Sequence, residues 1–169
     1  MVRFLATLAF GLTLAGTMLP GRAAPGASAD AGAPALPPQP SVRPEGIPPQ
    51  ALLVSPCIAT MGEHWADLKN LPMGPIYGVW QGKPIFTELM VTVTQLQQGF
   101  SYANIRALPG YSIDHVDFKY EPTGHQGLPV PHYDVHAYYV TPEVQATICP
   151  DGIPDPAMKA MNAAPPPLK

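Results

Sequence analysis

Residues 85–93 read IFTELMVTV and residues 132–140 read HYDVHAYYV, and these two runs decide the fold. Both are rich in β-branched and aromatic residues, which suit a pleated, half-buried surface better than a helix. Just before the first run, Ile76 to Trp80 (IYGVW) has the same character, and Gln81-Gly82-Lys83 reads as a tight turn. Pro84 fits a strand start, where a missing N–H costs no ladder bond. The segment from Ile76 to Val93 therefore predicts a β-hairpin. Ser112 to Tyr120 (SIDHVDFKY) alternates, with Val116, Phe118 and Tyr120 on one side and Asp117 and Lys119 on the other, the pattern of a half-buried strand. Leu52 to Ala59 is a short apolar run interrupted by Pro56, and Met61 to Asp67 reads as turn-like. Helical signals are few. Thr94 to Tyr102 is a helical turn or loop, and Thr141-Pro142-Glu143 is a helix start with Thr as N-cap and Pro as first helical residue. The expected class is mainly β: an antiparallel β-sandwich or barrel-like sheet with one or two short helices.

Outward from these strands the composition changes. Residues 51–161 are expected to form one β-rich domain. Residues 30–50 (DAGAPALPPQPSVRPEGIPPQ) and 162–169 are rich in Pro and Ala, with few large apolar side chains, and are expected to be a flexible leader and tail. Met1-Val2-Arg3 supplies a positive start, Phe4 to Leu19 is uncharged and mostly apolar, and Ala27-Ser28-Ala29 gives an A-x-A pattern. That order is a secretory signal, with cleavage expected after Ala29. The apolar run falls short of the ~20 residues that span a bilayer, and no second one follows. The expected product is a soluble protein of the periplasm or extracellular space, with no transmembrane segment in the mature chain. Formal charge is −3, and the basic residues are single and scattered. Nucleic acid and anionic membrane surfaces both require a positive patch, so neither is an expected partner.

The two cysteines, Cys57 and Cys149, flank the domain. In an oxidising compartment a disulfide joining its ends is the natural reading, with free thiols, an intermolecular link or a metal role as alternatives. No C-x-x-C supports a redox role.

All five histidines lie within the predicted domain. His132, Asp134 and His136 alternate with period two and share a strand face. Glu88 sits inside an otherwise apolar strand beside Phe86 and Met90, where a carboxylate is paired, ligates a metal or faces solvent. His64 follows Gly62-Glu63. A set of His64, Glu88, His132 and His136 has the imidazole–carboxylate composition of a divalent metal site, zinc first, with copper, iron or manganese as alternatives. Asp134, Trp65 and Tyr138 would support it from behind. The spacing sets a condition: on a flat strand His132 and His136 stand ~13 Å apart, so both reach one ion only where the strand bulges, bends or ends. Otherwise Asp134 pairs with one or the other. The competing assignment has the imidazoles packing on Tyr133 and Tyr138, and Glu88 paired with Lys83 or Arg106. Asp114-His115-x-Asp117 reads as a surface cluster. H-E-x-x-H, paired C-x-x-C, G-x-S-x-G and phosphate-binding glycine loops are all absent, so the pattern assigns no reaction.

Met61-Gly62-Glu63-His64-Trp65, then Gly78-x-x-x-Gly82-Lys83-x-Ile85-Phe86-x-Glu88-x-Met90, then Pro131-His132-Tyr133-Asp134-Val135-His136-x-Tyr138 resemble a family of small exported bacterial proteins of unknown function. The family is typified by a Thermus protein controlled by an extracytoplasmic sigma factor and its anti-sigma partner. The resemblance implies that His64, Glu88, His132 and His136 belong to one feature and that the chain forms a homo-oligomer, and it names no activity. Two functions follow. One is an exported metal- or small-ligand-binding β-domain, open to being a metal-dependent enzyme; the other is a non-catalytic oligomeric structural or interaction protein of the cell envelope.

Overall fold

The computed structural model describes residues 35–154. The expected signal sequence, the start of the leader and the tail 162–169 lie outside the described residues. Six strands, β1 (Leu52–Ile58), β2 (Gly62–Ala66), β3 (Ile76–Trp80), β4 (Lys83–Thr92), β5 (His115–Glu121) and β6 (His132–Tyr138), form one antiparallel sheet. Their order is β1-β2-β3-β4-β6-β5, so β6 inserts between β4 and β5. The fold is mainly β and antiparallel as expected, and the sheet is open: β1 and β5 are its edges. No helix among the described residues is long and apolar enough to cross a membrane.

The β3–β4 hairpin forms where the sequence predicts it. Gln81 (φ 50°) and Gly82 (φ 75°) both adopt positive φ, the condition for a two-residue turn whose twist matches its strands. Two short helices complete the set. In α1 (Val93–Gln97) the Thr92 hydroxyl accepts from Gln95 N, and Gln95 Oε1 accepts from Thr92 N, which satisfies two otherwise orphaned N–H groups. In α2 (Pro142–Gln145) Thr141 is the N-cap and Pro142 opens the helix, as expected.

Two expectations are corrected. Met61 to Asp67 is not a turn, since β2 occupies most of it. Its Glu63-His64 pair looks like loop polarity, but His64 is buried and turned toward other polar side chains. The second correction concerns β5. Val116, Phe118 and Tyr120 do share a face, and it is the exposed one, at 57%, 60% and 45% exposure. Lys119 and Glu121 are buried instead. Alternation fixes which residues share a face but not which face is covered. Here register decides: Asp117, Lys119 and Glu121 stand opposite His136, Asp134 and His132, so the polar side of β5 meets the polar side of β6.

The sheet's two faces are packed differently. One carries Leu53, Trp65, Tyr77 and Val79, covered by Ile47 and Ala51. Residues 35–50 form no helix or strand, yet Gln39 both accepts from Leu53 N and donates to Leu53 O. Arg43 donates to the Ala51 and Pro48 carbonyls and lies 5.7 Å from the Trp65 ring centroid. The other face carries Phe86 and Tyr138 packed on Ile148 and Cys149, and Ala66, Ile76 and Met90 packed on Leu128. Cys57 and Cys149 stand at disulfide distance, with Cα atoms 6.0 Å apart and a sequence separation of 92. The link fastens the segment after α2 to edge strand β1, and closing a loop of this length stabilises by roughly 4–5 kcal/mol in the chain-entropy description.

Candidate metal centre

Register brings the site together on the second face. Glu88 of β4 is directly opposite His136 of β6. His64 of β2 is opposite Gly78, and Gly78 is opposite Phe86. His64, Glu88 and His136 thus come from three strands, and all are buried, at 8%, 4% and 1% exposure. Glu88 Oε1 lies 3.5 Å from His136 Nε2, and Glu88 Oε2 lies 3.7 Å from His64 Nε2. One ligand atom from each of the three falls within 4.8 Å of the other two. These distances exceed the 2.7–2.9 Å of a charge-assisted hydrogen bond. Each runs to a different oxygen of Glu88, and both are a few tenths of an ångström above the separation of about 3.3 Å between donors that share one tetrahedral ion at ~2.0–2.1 Å.

Each imidazole is prepared differently. Ser55 Oγ donates to the Pro56 carbonyl and lies 3.1 Å from His64 Nδ1. With the hydroxyl proton committed, Nδ1–H is the donor in that contact, and the Nε2 lone pair faces Glu88. An outer hydrogen bond that fixes the tautomer is the usual companion of a ligating histidine. His136 is fully enclosed. Burial, and then the positive charge of Lys119, hold its pKa well below the ordinary histidine value, so the ring is neutral. Both its ring nitrogens are buried and make no hydrogen bond, an arrangement that costs about 1–3 kcal/mol per group when nothing compensates.

The Phe86 ring is fully buried and meets both imidazoles edge-on, with centroids 5.5 Å from His64 and 4.9 Å from His136. It occupies the space above Gly78, where a Cβ would stand 2.2 Å from Phe86 Cε1. Gly78 therefore lets one aromatic ring wedge between two strands that each present a histidine. Tyr138 adds a further wall, 5.1 Å from Phe86, and its hydroxyl donates to the Thr60 carbonyl.

The expected four-residue set is divided. The registers of β6 with β4 and β5 run unbroken from His132 to His136, so no bulge shortens the ~13 Å between these side chains. His132 instead joins Asp134 and His125. Trp65 alternates to the opposite face from His64 and packs in the first core, where its indole donates to Glu63. Ser55, Gly78 and Phe86 were not singled out for the site in the sequence, and neither was His125, which sits in a Gly- and Pro-rich loop without periodicity. Asp114-His115-x-Asp117 is only partly a surface cluster. His115 stacks on Tyr138 at 4.9 Å, and both His115 and Asp117 bond to Gln145 of α2.

No family model matches the chain, and no curated protein matches it. Among solved structures it is similar to a hypothetical protein, TTHB210, from Thermus thermophilus, at 22% identity and a TM-score of 0.44, over 53% of this chain and 87% of that one.

Proposed function

We propose that this chain is an exported protein that binds a divalent metal ion, zinc first, through His64, Glu88 and His136. The observation that carries the reading is His136: a neutral imidazole, 1% exposed, without a hydrogen bond at either nitrogen and 3.5 Å from a buried carboxylate oxygen. A cation between the two groups gives one of those nitrogens a partner and compensates the carboxylate. The residues fit the ion in donor type and spacing. Two imidazoles and a carboxylate leave a coordination position for a small molecule, and bound zinc supplies Lewis-acid polarisation to the donor that takes it. Export by an N-terminal signal accords with the Cys57–Cys149 pair, since such links persist in oxidising compartments. The test is elemental analysis of the untagged mature protein after zinc supplementation, with Glu88→Gln and His136→Ala as controls. The reading requires metal in the wild type that both folded variants lose at this site; metal content unchanged in both would refute it.

A second reading, a self-associating envelope protein, is favoured by one observation. Edge strand β5 exposes Val116, Phe118 and Tyr120, and Phe118 stacks on Tyr133 at 4.6 Å to extend the apolar surface onto β6. Light scattering on wild type and Phe118→Lys tests it: a single monomeric mass for both would dismiss this reading without touching the first.

A further inference from the structure

We propose that His125, His132 and Asp134 form a second divalent-cation site, separate from the one at His64, Glu88 and His136 and independent of it.

His132 Nδ1 lies 2.6 Å from the Val130 carbonyl, and His125 Nδ1 lies 2.9 Å from the Gln126 carbonyl. A carbonyl only accepts, so each Nδ1 carries hydrogen. In the neutral rings both Nε2 atoms then present lone pairs, and these atoms are 3.0 Å apart. The Asp134 carboxylate closes the triangle, with Oδ1 3.1 Å from His132 Nε2 and Oδ2 3.5 Å from His125 Nε2. Four electron-rich atoms from three side chains at this spacing need positive charge among them. A proton on one ring forms one good hydrogen bond and leaves the remaining contacts unsatisfied. Asp134 Oδ1 is in fact buried and makes no hydrogen bond, its approach to His132 not being aligned as one. A single divalent ion satisfies all three donors together, at separations close to the ~3.3 Å expected around tetrahedral zinc.

The surroundings have the character of a built site. His132 is 0% exposed and Asp134 5%. His125 closes the triangle from the loop between β5 and β6. Reciprocal backbone bonds join His125 and Leu128, at 3.2 and 3.1 Å, and Leu128 is anchored in the core beside Met90. The backbone carbonyls that hold both Nδ1–H groups are the outer partners a ligating imidazole ordinarily has. The Asp134 carboxylate raises the His125 pKa to about 9, so an ion that binds Nε2 displaces a proton from it. Imidazole with carboxylate favours zinc, and copper or nickel would compete.

The probe is zinc, titrated calorimetrically into chelator-stripped full-length mature protein, with wild type, His125→Ala, Asp134→Asn and His136→Ala compared. His125 is a loop residue whose removal leaves the sheet intact, and circular dichroism confirms folding of each variant. The proposal predicts two zinc ions per wild-type chain, falling to one in His125→Ala and in His136→Ala. It also predicts that zinc shifts the Nε2 resonances of His125 and His132 in wild type. A single ion lost only in His136→Ala would overturn this site and leave the other standing. A single ion lost in His125→Ala but kept in His136→Ala would do the reverse. Stoichiometry unchanged in both His125→Ala and Asp134→Asn would overturn the proposal outright.

Discussion

Gly78→Ala tests how packing prepares the candidate centre. The added Cβ would lie 2.2, 2.4 and 2.4 Å from Cε1, Cδ1 and Cζ of Phe86, against the roughly 3.5–4.0 Å of relaxed carbon contact. The overlap exceeds about 1 Å with three atoms of one rigid ring. That ring is 0% exposed and closely faced by His64, His136 and Tyr138, so it has no free direction in which to move. Overpacking of this kind costs typically about 1–3 kcal/mol, and the lower unfolded-state entropy of alanine offsets about 0.4–1 of it. The expected net loss is about 1–2 kcal/mol, read as a lower urea midpoint with unchanged slope in chelator-treated protein. Zinc affinity should fall as well, because the displaced ring carries both imidazoles with it. In Phe86→Leu the ring is gone, and adding Gly78→Ala to that background should cost much less, a coupling within the roughly 0.5–3 kcal/mol range of contacting residues. Gly78→Ala with wild-type stability and wild-type zinc affinity would refute the reasoning.

Replacing Cys57 and Cys149 with serine should lower stability by about 2–5 kcal/mol, given the 92-residue separation; a midpoint equal to wild type would show that the link contributes nothing. Phe118→Ser should cost under about 1 kcal/mol, the worth of a cross-strand aromatic pair, because Phe118 is 60% exposed. Phe86→Ala should cost about 3–5 kcal/mol, and equal losses at the two positions would mean that β5 faces the other way. In metal-free protein His125 should titrate by NMR near the raised value of about 9. A raised value stabilises the fold fully below pH ~6.5 and ceases to do so as pH climbs through about 9, a term on the order of 1–2 kcal/mol after discounting for solvent. Asp134→Asn should bring the titration back toward about 6.5 and flatten stability across that window; an unmoved pKa would show that Asp134 is not its cause.

Local signals carried much of this architecture. The β3–β4 turn, the strand character of β4 and β6, and the Thr141 cap were all readable, because each depends on a few adjacent residues. What depends on partners was less readable. The covered face of β5 is set by its register with the charged residues of β6, information spread over two strands. β2 was hidden because the adjacent Glu63 and buried His64 make a strand look polar. The candidate site was legible in composition: His64, Glu88 and His136 were named, and Glu88 stood out as a carboxylate among apolar neighbours. Its division was legible only as a condition, the ~13 Å between His132 and His136 on a regular strand. Trp65 was misleading because sequence neighbours on a strand point to opposite faces. His125 gave no periodic signal, since its position depends on how a loop is anchored through Leu128.

The central claim is that His64, Glu88 and His136 converge on one cation, and anomalous diffraction from zinc-soaked crystals tests it most directly. The expected result is a zinc peak about 2.0–2.2 Å from an imidazole nitrogen of His64, one of His136 and a carboxylate oxygen of Glu88. Crystals with zinc bound elsewhere and no density among these three side chains would contradict it.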